Sequence, residues 1–69
     1  MKTDLMGFVR KSKSGNSLRI SISVEAFDEA RRYISDDGKE WVALDVNLAR
    51  ILRVLDGHKE VTALCQTHD

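Results

Sequence analysis

The chain has 69 residues, 42% of them hydrophobic and 32% charged, with one cysteine and a formal net charge of zero. That composition describes one small globular domain, 1–69, and excludes an internal disulfide. A domain this short buries only about 60% of the surface its unfolded chain exposes, and Cys65, His58 and His68 lack the paired spacing of a structural zinc site. Self-association is therefore the expected supplement to the core, and a homodimer its simplest form.

No apolar run approaches the roughly 20 residues of a membrane span, and the opening residues MKTDLMG lack the continuous apolar core of a signal peptide. A cytoplasmic protein is expected, since a free thiol suits that reducing compartment. Zero net charge conceals a segregation. Residues 1–24 hold Lys2, Arg10, Lys11, Lys13 and Arg19 against Asp4 alone, a net of +4, whereas residues 25–69 hold six cations against ten acids, a net of −4. Such asymmetry points to one cationic working surface on an acidic scaffold.

In chain order, the first feature is a basic β-hairpin over 5–24. Its arms are Leu5 to Arg10 and Leu18 to Val24; in the second, Leu18, Ile20, Ile22 and Val24 share one face and Arg19, Ser21 and Ser23 the other. The seven residues KSKSGNS, 11–17, join them, with Gly15 and Asn16 as the residue types most tolerant of a turn's positive φ. A helix follows over 24–34. Ser23 is placed to cap it, Glu25, Asp28 and Glu29 suit its first turns, Arg31 and Arg32 its last, and Phe27, Ala30 and Ile34 form its apolar stripe. The turn formers Ser35-Asp-Asp-Gly38 end it.

The remainder is a strand–helix–strand unit over 40–65. Glu40 to Val46 alternates as a third strand with Val42, Leu44 and Val46 on its buried face. Leu48, Ile51, Leu52 and Leu55 follow the helical template between an Asn47 cap and Gly57, although Asp56-Gly57 would also suit a hairpin. The helix is preferred because it leaves Arg50 and Arg53 off the apolar stripe. Glu60 to Cys65 is the fourth strand, and residues 66–69 are expected to fray. The expected fold is a small α+β domain of order ββαβαβ. Its core is drawn from Phe8, Leu18, Ile20, Ile22, Phe27, Ile34, Val42, Leu44, Ile51 and Leu55, with Tyr33 as a further core candidate and Trp41 as a core or interface anchor.

Gly7-Phe-Val-Arg-Lys11, a turn, and Ile20-Ser-Ile-Ser-Val-Glu25 leading into a helix resemble the DNA-binding half of AbrB and MazE family proteins, transition-state regulators and antitoxins of the swapped-hairpin fold. Gly15-Asn-Ser17 followed by Leu18-Arg-Ile20 is similar to the glycine-asparagine-serine signature of the MazE branch. The resemblance covers about 25 residues by inspection of these short motifs. It implies a homodimer that exchanges hairpins and a role in transcription regulation or as an antitoxin. It further implies DNA-facing roles for Arg10, Lys11, Lys13 and Arg19, with Gly15, Asn16 and Ser17 shaping the loop. Two departures stand out: Ser23 occupies the place of a usual proline, and the segment from Trp41 to Cys65 is longer than the family's second hairpin.

Apart from the resemblance, clustered cations release counterions from phosphates, a two-stranded ribbon fits a DNA major groove, and the hairpin serines offer hydroxyl donors. The expected partner is double-stranded DNA, with RNA as an alternative, and the expected site is Arg10, Lys11, Lys13, Asn16, Ser17 and Arg19. No aromatic is expected among these cations, which disfavours single-strand recognition. The competing readings are an edge strand guarded by lysines against aggregation and a protein-interaction module whose acidic half docks a partner. Cys65 reads as a buried inert thiol, His58 and His68 as exposed, and Asp36-Asp37 as ordinary solvated carboxylates. With no phosphate-binding glycine loop, metal motif or catalytic triad, neither enzyme activity nor a cofactor is expected.

Overall fold

The computed structural model describes residues 2–68. Strand β1 (Lys2–Lys11) turns back into β2 (Leu18–Ile22), followed by helix α1 (Val24–Glu29), strands β3 (Tyr33–Ile34), β4 (Glu40–Trp41) and β5 (Asp45–Val46), helix α2 (Leu48–Leu55) and β6 (Val61–His68). The α+β class holds, but the order is ββαβββαβ rather than ββαβαβ. An antiparallel four-stranded sheet runs β2-β1-β6-β5, and β3-β4 form a separate two-stranded hairpin.

The hairpin and α2 form for the local reasons that the residues supply. In the turn, Ser12 N–H donates to the Ser17 carbonyl (2.9 Å) and Gly15 N–H to the Ser12 carbonyl (3.0 Å). Gly15 takes a φ of +77°, and among the described residues only glycines adopt positive φ, so Asn16 does not use the tolerance expected of it. Helix α2 starts where the Asn47 side chain accepts from Arg50 N–H, and ends before Gly57 at φ +89°. The alternative second hairpin at Asp56-Gly57 is excluded.

Helix α1 departs from its expected length. Ser23 Oγ accepts from Ala26 N–H as anticipated, but the helix closes at Ala30, which is extended. The cause lies far along the chain. Gln66, 5% exposed, accepts from Arg31 N–H through Oε1 (2.8 Å) and donates through Nε2 to the Arg31 carbonyl (2.8 Å) and the Ala43 carbonyl (3.3 Å). Both backbone groups that a continuing helix would need at Arg31 are thereby taken by one side chain. Arg31 and Arg32 therefore lie outside the helix, and Arg32 pairs with Glu40 (3.9 Å), its guanidinium 5.3 Å from the Phe27 ring centroid.

The expected third strand, Glu40 to Val46, is likewise divided: its first residues pair with β3 and its last with β6, and the stretch between crosses from one sheet to the other. Strand β6 runs on to His68 instead of fraying, since β1 begins at Lys2 and supplies partners for it; Asp69 lies outside the described residues. His68 is half-buried and not exposed as expected, and its Nε2 lies 2.8 Å from Asp4 Oδ2. Replacing Gln66 with Leu keeps its bulk but orphans three backbone groups. The expected cost is about 2 kcal/mol, read as a lowered urea midpoint at unchanged slope.

The core is small: Val9, Ile51, Val54 and Leu64, with Leu44 packed against them, and Met6 of β1 is also buried. Of the expected core, Ile51 is buried and Leu44 and Val42 half-buried, whereas Phe8, Leu18, Ile20, Ile22, Phe27, Tyr33, Ile34, Trp41 and Leu55 are exposed. The reason is the reach of α2, which packs over β1 and β6 and leaves β2 bare. Cys65 is half-buried, not buried.

Candidate nucleic-acid interface

Strand register sorts the hairpin's side chains between the two faces of the sheet, because residues directly opposite share a face and neighbours along a strand alternate. Val9 belongs to the α2 core, so its partners Ile20 and Thr62 lie on the helix-covered face, together with Leu18 opposite Lys11 and Ile22 opposite Gly7. Arg10 faces Arg19, and both lie on the other, open face with Phe8 and its partners Ser21 and Ala63. A bulge at Met6, between Leu5 and Gly7, resets the alternation and keeps Leu5 on the open face opposite Cys65.

The cations therefore surround the hairpin tip. Arg10 and Arg19 stand on the open face, Lys11 on the helix-covered face, and Lys13 in the turn. One concave surface is lined by Arg10, Lys11, Lys13 and Arg19 with Ser12, Ser14 and Ser17. Asn16 supports the turn, its N–H directed to Ser14 Oγ (3.4 Å), while Ser12 and Ser14 hydroxyls lie 3.0 Å apart. A second hollow joins Arg10 and Lys11 to Lys59 and Glu60 in the α2–β6 connection. Lys59 is a basic contributor that the sequence reading passed over; only the pairing of Arg10 with Val61 brings it alongside.

Two like charges directly opposite each other in a sheet destabilise it, yet none of the ion pairs among the described residues includes Arg10, Lys11, Lys13 or Arg19. An edge-guarding role accounts for a cation on β2, which is an edge strand, but not for Arg10 on β1, which is flanked by strands on both sides. Arg10 and Arg19 are thus an exposed like-charge pair with no ion-pair partner among the described residues.

Phe8 corrects the expectation that no aromatic stands among these cations. It is 48% exposed, two residues from Arg10 on the same strand, and thus on the same face. The alternation of Phe8 with Arg10 is the signal, masked by assigning Phe8 to the core.

Elsewhere, Ser35 Oγ donates to Asp37 and Lys39 N–H reaches the same carboxyl oxygen; these bonds hold the Asp37 carboxyl below its ordinary range. Asp37 is therefore not the ordinary carboxylate expected there. Among the described residues no group of three or more His, Cys, Asp or Glu is placed to hold a metal ion, and no helix is long and apolar enough to cross a membrane. In comparisons with known proteins, no family model matches this chain, and neither does a curated protein or a solved structure.

Proposed function

We propose that this chain binds nucleic acid, double-stranded DNA foremost, through its basic hairpin tip, and does so as a homodimer. The observation that carries the reading is the unpaired Arg10–Arg19 couple beside Lys11 and Lys13. Lysines and arginines with no internal partner gain most from phosphate, since each contact releases counterions. The tip is a twisted two-stranded ribbon, one of the few elements that enters a major groove. This use agrees with the AbrB and MazE resemblance of the same hairpin and with a role in regulating transcription.

A titration of duplex DNA and duplex RNA across a salt series tests it. Four phosphate contacts per chain make eight per dimer and give a slope of log K against log salt of about −7 for DNA. Absence of binding at low salt, or a slope near zero, would overturn the reading, and stronger binding to RNA would reassign the partner.

The homodimer rests on the bare apolar residues of β2. Leu18, Ile20 and Ile22 lie on the helix-covered face beyond the reach of α2, and Leu52 and Leu55 are exposed on α2 itself. A core of so few buried residues gains by covering such a surface, and a second copy offers the same apolar composition. Light scattering should give twice the chain mass for the native protein and the single-chain mass for Ile20→Asp. A native protein of single-chain mass at tens of micromolar would remove the dimer from the proposal.

A further inference from the structure

We infer that the open face of the sheet holds an unpaired nucleobase against the Phe8 ring, so that the protein also binds single-stranded nucleic acid. The inference rests on the nucleic-acid reading above and adds a substrate class to it.

Phe8 sits in an inner strand of the four-stranded sheet, and its lateral neighbours on the open face are Ser21 on β2 and Ala63 on β6. Both are small, so the ring, 48% exposed, rises between low side chains with its surface accessible. The next pair along the strands is Arg10 and Arg19, roughly 7 Å away at about 3.3 Å per residue, within reach of a backbone phosphate attached to a base lying on the ring. An aromatic platform beside backbone-directed cations is the arrangement that single strands use, because every base has a π-face and no sequence need be read.

A second copy of the chain is the competing occupant of this face. Against its two arginines, this face carries one acid among the described strand residues, Asp45, which lies opposite Cys65 and whose Oδ2 already accepts from Thr67 N–H (3.3 Å). A symmetric interface here would bury four guanidiniums against two engaged carboxylates, a shortage of counter-charge that burial makes costly. A nucleic-acid strand brings a phosphate with every base. The face therefore favours a polyanion with flat apolar groups over another copy, whose place is the helix-covered side of β2.

The test compares the native protein with Phe8→Leu and Phe8→Trp on a single-stranded oligothymidine, a single-stranded oligouridine and a DNA duplex. Leu keeps an apolar side chain but removes the stacking surface; Trp restores it. Phe8→Leu should bind both single strands about tenfold more weakly, with duplex affinity within twofold of native, and Phe8→Trp should recover the single-strand affinity. Equal single-strand affinity for native and Phe8→Leu would overturn the inference while leaving the hairpin reading intact. So would a parallel loss on the duplex, or failure of Trp to restore binding, since either marks a structural rather than a stacking role. If the native protein binds neither single strands nor duplex, the nucleic-acid reading itself falls, and this inference with it. A loss on one single strand only identifies whether the base-stacking partner is DNA or RNA.

Discussion

Replacing Gly7 with alanine is expected to lower the melting temperature by about 15 °C or more, since it is the one of the four glycines whose added methyl meets other atoms. A Cβ built on Gly7 falls inside the contact distance of the Ser21 carbonyl oxygen and 2.9 Å from Ile22 Cα, both backbone atoms of the neighbouring strand. No side chain can rotate to relieve such an overlap. Strand β2 would have to move away from β1 at the point where Ser23 N–H donates to the Met6 carbonyl (2.9 Å) and the chain turns into α1. Backbone displacement in a packed region costs about 3 kcal/mol or more, against a total stability of about 3 to 10 kcal/mol for a chain of this length. Gly15→Ala is the informative contrast. Its φ of +77° strains an L-residue, but nothing lies within 4 Å of the added methyl, so the loss should stay near 1 to 2 kcal/mol. Circular dichroism melts of the two variants separate steric approach from backbone conformation. A Gly7→Ala protein melting within a few degrees of native would show that β1 and β2 are not held this closely in solution.

That glycine illustrates which parts of the fold are legible in the residues and which are not. The hairpin could be read because period-two alternation and a glycine turn are local signals, and α2 because its apolar stripe and Asn47 cap lie within one segment. The end of α1 could not. It depends on Gln66, 35 positions after Arg31, and nothing near Arg31 announces that its backbone groups will be claimed. The β3–β4 hairpin did carry a local mark, Asp37-Gly38 with Gly38 at φ +86°, outweighed by the helical spacing of Phe27, Ala30 and Ile34. Burial was the least legible property. The apolar face of β2 follows from alternation, but whether anything covers it depends on where α2 lands, and α2 lands on β1 and β6. The candidate site fared unevenly for the same reason. Its cations cluster within the hairpin sequence, whereas Lys59 joins them only through strand pairing, and Phe8 was misplaced by expecting an aromatic to be buried.

Removing the two tip lysines together, Lys11→Ala with Lys13→Ala, is expected to weaken duplex binding on the order of 10- to 100-fold at low salt and to reduce the magnitude of the salt slope by about two per chain, or about four for the dimer. The reasoning begins from what these side chains do in the folded chain, where neither takes part in an ion pair among the described residues. Their loss removes no ion pair among the described residues, so stability should stay within about 0.5 kcal/mol of native, and a larger fall in affinity belongs to the bound state. The matched control is Lys39→Ala. Lys39 lies in the β3–β4 turn, where its Nζ is 4.0 Å from Asp37 Oδ2, and its removal changes net charge without touching the hairpin tip. If binding depended on overall charge, Lys39→Ala would show half the effect of the double variant. If it depends on the tip, Lys39→Ala should leave both affinity and slope unchanged. Because phosphate contacts position a protein without reading bases, the double variant should also weaken unrelated duplexes to the same degree. A loss confined to one sequence would place Lys11 or Lys13 on base edges in the groove, and a salt slope unchanged from native would take the tip out of the interface altogether.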